Sequence, residues 1–124
     1  MNAELGARNS ELQERTFEFG LRIVRLVESL PKVRSADVLG RQLLRCGTSV
    51  GANYWAATCA RSRADFIAKL GIFEEECDET MYWMDMLIEP KLIREHQTRE
   101  LRSEAEELLA IIASSIKTAR RNKG

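Results

Sequence analysis

Apolar residues recur along this chain at alternating intervals of four and three, the period of a helix with one greasy face. The first run places Leu12, Phe19, Ile23, Leu26 and Leu30 on one seam, with Thr16 among them. Ser10, followed three residues later by Gln13, reads as a capping box that opens this helix, and Pro31 closes it. The second seam is Leu39, Leu43, Cys46, Val50, Asn53 and Ala57, with Ser35 as N-cap. The third is Phe66, Leu70, Phe73, Cys77, Thr80, Met84 and Leu87, capped by Ser62 and ended before Pro90. Leu92 and Ile93 are expected to tuck against the bundle end. Thr98, or a position shortly before it, starts a fourth helix through Leu101, Ala105, Leu108, Ile112 and Ile116. The predicted helices are therefore 11–30, 36–60, 63–88 and 98–119. Short connections make neighbours antiparallel, so the fold class is all-α, an up-down-up-down four-helix bundle. One domain over 1–124 is expected, with 1–9 and 120–124 flexible.

Composition agrees with that pattern and removes several alternatives. Seven Gly and two Pro in 124 residues are too few for an all-β sandwich or a Gly-rich nucleotide-binding fold. The first ten residues are polar and lack the apolar run of a signal peptide. No stretch approaches the roughly 20 apolar residues of a membrane span, so a cytoplasmic location without membrane contact is expected. Cys46, Cys59 and Cys77 are odd in number and widely spaced, which is neither a disulfide framework nor a zinc pattern. The single histidine, His96, cannot supply the paired Glu-x-x-His motifs of a metal-carboxylate bundle. No phosphate-binding glycine loop, HExxH or calcium loop occurs. No catalytic, cofactor or metal residue is assigned, and the chain is not expected to be an enzyme.

The chain carries more apolar side chain than one bundle can hide. Phe17, Leu21, Val24 and Val27 flank the first seam. Val38, Leu44, Tyr54 and Trp55 flank the second, and Ile67, Ile72, Met81, Trp83 and Met86 the third. Self-association is the physical expectation, with the aromatics Tyr54, Trp55, Tyr82 and Trp83 as candidate interface anchors. Gly47 and Gly51, one turn apart in the second helix, point to another helix approaching closely there. Asn53 falls level with Gly71, where a missing side chain would leave room for its amide.

Charge is segregated even though Lys plus Arg and Asp plus Glu are both 19. From 32 to 63 six basic residues face one acid, and from 64 to 89 eight acids face one lysine. A turn centred near Ser62 brings Arg45 level with Glu79, so pairing across the two helices is expected. The candidate nucleic-acid or anion contacts are Arg41, Arg45, Arg61 and Arg63, with Lys117, Arg120 and Arg121 in the basic tail.

The segment from Arg41 to Asn53, RQLLRCGTSVGAN, and the segment from Ala60 to Leu70, ARSRADFIAKL, together resemble the four helix bundle proteins related to the 23S rRNA intervening-sequence protein. Pro31, Glu76, Glu79, Tyr82 and Trp83 match the same pattern, and the resemblance runs from about Phe17 to Ala119. Cys46 stands where the family usually has Ser. Trp55, Ala56 and Ala57 replace a stretch that often carries an acid. The resemblance implies a small bacterial cytosolic bundle that forms a homopentamer, with some members encoded inside an insertion in the large-subunit rRNA gene. It also implies a runner-up role. A strongly basic branch, the retroelement accessory proteins, binds a reverse transcriptase and its RNA. The expected partners are thus further copies of this chain, then RNA or DNA, then a protein partner.

Overall fold

The computed structural model describes residues 3–122, with side chains from residue 9 onward. Four helices follow one another: α1 (Ala3–Glu28), α2 (Arg34–Thr58), α3 (Arg63–Ile88) and α4 (Glu95–Arg121). Cross-helix contacts fix their directions. The Cβ position of Gly47 meets Ile23 and that of Gly51 meets Thr16, so α2 runs back along α1. Arg45 pairs with Glu76 and Glu79 between α2 and α3. Cys77 Sγ donates to the Ala105 carbonyl, and Arg102 pairs with Asp85, between α3 and α4. Arg15 with Glu104 and Arg22 with Glu100 close the circuit from α1 to α4. All four neighbours are therefore antiparallel, as the short connections require.

The seams point inward. Phe19, Ile23, Leu43, Val50, Leu70, Phe73, Met84, Leu87, Leu108 and Ile112 are fully buried. Thr16, Thr80 and Thr98 are buried with them. Each hydroxyl donates to a carbonyl of its own helix, which removes the penalty of an unpaired buried polar group. The second seam departs from expectation at two places: Leu39 is only half-buried, and Tyr54, not Asn53, takes the core position. The Tyr54 ring packs edge-on against Phe73 at 6.3 Å, and its hydroxyl donates to Asn9 Oδ1 at 3.0 Å. Asn53 is only half-buried and donates to Ser49 O in its own helix. Nothing lies within 4 Å of the Cβ position of Gly71, so that gap is not filled by the amide.

Helix ends differ from the local signals in three places. α1 begins at Ala3, so Ser10 and Gln13 lie inside it. The Ala, Glu, Leu and Arg residues before Ser10 are good helix formers that outweigh a single capping side chain. α2 starts behind Val33 with no side-chain cap, and Ser35 lies in its first turn. α4 starts behind Arg94, whose backbone N–H donates to Gln97 Oε1 at 2.9 Å, and this puts Thr98 within the helix. The helix continues through Arg120 and Arg121, so the segment expected to be flexible is helical up to there; residues 123–124 lie outside the described residues. Ser62 does cap α3, accepting from Asp65 N at 3.0 Å, and Ile93 is buried as expected.

The open space at Gly71 makes a direct test. Gly71→Ala adds a methyl where nothing resists it and removes the glycine penalty inside a helix. Stability should rise by about 1 kcal/mol, read as a melting temperature higher by about 3–5 °C.

Candidate functional site

Helices α1 and α2 cross where side chains are small. At the α1–α2 crossing Gly20 faces the Thr48 backbone, with Gly47 and Gly51 on the opposite helix. A Cβ at Gly47 would lie 2.7 Å from Ile23 Cγ2, and one at Gly51 would lie 3.1 Å from the Thr16 carbonyl oxygen. The glycines are thus required by packing. Gly20 is the partner that the seam pattern did not reveal, because it sits between two core positions of α1.

This tight crossing leaves an outward apolar groove. Phe17, Gly20, Leu21 and Val24 form one wall, and Thr48, Gly51, Ala52 and Trp55 the other, around about 440 Å³. Phe17 is 68% exposed and Trp55 60%, unusual for side chains of that size. Three further apolar side chains, Ile72, Tyr82 and Met86, are exposed along one side of α3, with Glu75 and Glu79 between them. Tyr82 stands edge-on to Trp83, with ring centres 5.0 Å apart. Of the four candidate anchors, Trp55 and Tyr82 face outward, Trp83 is half-buried, and Tyr54 belongs to the core of its own chain.

The arginines divide in the same way. Arg45 reaches across to α3, where it bonds Glu76 at 3.4 Å and also Glu79. Trp83 Nε1 donates to Glu79 at 3.0 Å. The indole hydrogen bond first, and the Arg45 charge after it, hold the Glu79 carboxyl below its ordinary value against the pull of desolvation. Arg41 pairs with Asp37 one turn back at 2.9 Å. Arg45 thus ties α2 to α3, while Arg41 is paired only within its own helix. Arg15 binds Glu104 through two nitrogens, at 2.7 and 3.1 Å, and this hydrogen-bonded pair raises its guanidinium pKa. Arg61, Lys117, Arg120 and Arg121 are exposed and make no salt bridge among the described residues. Arg63, also exposed, is the first residue of α3.

The thiols carry no built chemistry. Burial pushes Cys77 up to about 12 and raises Cys46 as well, while Cys59 is exposed at the end of α2. Native protein should therefore react with a thiol reagent such as dithiobis-nitrobenzoate at one site per chain, and at three once unfolded. Rapid labelling of two or more native thiols would contradict the buried placement. Among the described residues no group of three or more His, Cys, Asp and Glu side chains could hold a metal ion. No described helix is long and apolar enough to cross a membrane.

A family model described as 23S rRNA-intervening sequence protein matches residues 8–114. A crystal structure of a protein with unknown function, from the S23 ribosomal protein family of Bacteroides thetaiotaomicron VPI-5482, is similar in fold and sequence. It is 38% identical with a TM-score of 0.82, and the match covers 88% of this chain and 97% of that one. No curated protein matches.

Proposed function

The chain belongs to the 23S rRNA-intervening sequence protein family, and from that premise we propose that it is a non-enzymatic interaction protein that works as a homo-oligomer. The observation that carries this reading is the outward groove with Phe17 and Trp55 at its rim. Left in water, such a patch forfeits the roughly 25 cal/mol gained for each Å² of apolar surface buried. A second copy is the occupant always present at matching concentration.

Apart from Val33 and Val38 near the start of α2, the exposed large apolar side chains fall in two unlike places, a groove between α1 and α2 and one side of α3. A two-fold dimer needs one self-complementary patch. A head-to-tail ring needs two different ones, each meeting the other kind on the next copy. The pair of patches favours a ring, and the family resemblance implies five members. Light scattering on the purified protein should give a particle of about 70 kDa, five copies of the 14.1 kDa chain. A single 14.1 kDa species at micromolar concentration would overturn the reading.

A further inference from the structure

The antiparallel topology gathers basic residues that are far apart in sequence. Asn9, Tyr54, Phe66 and Thr118 line one cavity, so the start of α1, the end of α2, the start of α3 and the end of α4 share one pole of the bundle. The segments at this pole whose side chains are described are 9–11, 58–65 and 117–122. They hold five cations, Arg61, Arg63, Lys117, Arg120 and Arg121, against two carboxylates, Glu11 and Asp65. The opposite pole, 28–37 and 89–96, holds four of each sign. Asymmetry between the poles is therefore a property of the fold within a chain whose formal net charge is zero.

Local structure explains only part of it. Arg120 and Arg121 lie in the last turn of α4, where a cation favours the helix dipole. Arg63 stands at the first position of α3, where the dipole disfavours a cation. Nor does ion pairing explain it. Along the bundle's length Arg15, Arg22, Arg25, Arg41, Arg45, Arg99 and Arg102 all meet carboxylates. At the pole Arg61, Lys117, Arg120 and Arg121 have none within salt-bridge distance among the described residues, and Glu74, which shares a shallow groove with the last three, stays beyond that distance. Clustered cations repel one another, and a polyanion relieves that repulsion with a gain from released counterions.

We infer that this pole binds the phosphodiester backbone of a nucleic acid, through Arg61, Arg63, Lys117, Arg120 and Arg121. Arg41 and Arg45, engaged with their own acids, lie outside the contact. The proposal goes beyond the assembly reading and does not depend on it.

The test is fluorescence anisotropy on the full-length protein, with a labelled single-stranded RNA of about 20 nucleotides and a DNA of the same sequence. Five phosphate contacts predict an affinity that falls about 130-fold between roughly 50 and 200 mM salt. The triple variant Arg61→Gln/Arg120→Gln/Arg121→Gln should bind at least about tenfold more weakly. The single variants Arg120→Gln and Arg121→Gln should each show part of that loss. Arg25→Gln/Arg41→Gln/Arg99→Gln removes the same charge from paired arginines and should stay within about threefold of the parent. Light scattering checks that each variant keeps the parent mass. Binding of either polymer supports the proposal, and the two arms tell whether the 2′-hydroxyl contributes. Absence of binding at the lower salt, equal losses in the two triple variants, or competition by polyglutamate as strong as by RNA would overturn it.

Discussion

Replacing Phe17 and Trp55 together by glutamate is expected to break the assembly into single 14.1 kDa chains that remain fully helical. Both side chains are mostly outside the core, at 68% and 60% exposure, so their loss opens no cavity within the chain. In the assembly each would bury an aromatic worth about 1.5–3 kcal/mol. Each glutamate would instead bring a carboxylate to be stripped of water without a partner, which costs several kcal/mol more. Together these weaken each contact by a factor on the order of a thousand or more. Light scattering reads the mass, and circular dichroism the retained helix.

Tyr82→Glu on α3 tests the other half of a head-to-tail contact. It should also give single chains, since the ring loses its second kind of surface. A mixture of the two variants is then informative. The intact α3 side of the first can seat in the intact groove of the second, and the chain of contacts stops there. A heterodimer of about 28 kDa is therefore expected from the mixture. Full assembly by the Phe17/Trp55 variant would show that the groove is not the interface. Failure of the mixture to pair would favour a two-fold contact.

Gly47→Ala should lower stability, although alanine is the better helix former by about 1 kcal/mol. The added methyl would lie 2.7 and 2.8 Å from Ile23 Cγ2 and Cγ1, and 3.1 Å from Ile23 Cβ. Ile23 is completely buried and β-branched, so its rotamer cannot give way. The helices must part instead, and overpacking of this kind costs about 1–3 kcal/mol. A net loss of about 1–2 kcal/mol is expected, and more for Gly47→Val. Urea unfolding should show a lower midpoint with an unchanged slope. Ile23→Ala removes the clashing atoms. The double variant should therefore be more stable than the sum of the single losses, by about 0.5–3 kcal/mol. Additivity within error would mean that Gly47 is not limiting the crossing.

Periodicity made most of the fold legible. The α3 seam from Leu70 to Leu87 and the α4 seam from Leu101 to Ile116 are buried position for position, because only one face of an amphipathic helix can leave water. Gly47 and Gly51 were readable as a close approach, since two glycines a turn apart weaken a helix unless something needs the space. Capping signals served less well. Ser62 caps α3, whereas Ser10, Ser35 and Thr98 are overrun by helix, because a single side-chain bond of about 1 kcal/mol competes with the propensity and packing of a whole turn.

The amino-acid order alone settled the number of helices, their inward faces and the pairing of Arg45 with the acids of α3, all of which follow from short-range spacing and one short turn. Three matters needed the folded chain. Tyr54 displaces Asn53 from the core because the geometry offers its ring Phe73 and its hydroxyl Asn9. Phe17 and Trp55 become one groove because α1 and α2 cross at glycines more than twenty-five residues apart. The 61–63 turn and the 117–121 helix end become one basic pole because antiparallel packing returns the chain to the same end. Such coincidences depend on how rods are laid side by side, and no local period encodes them.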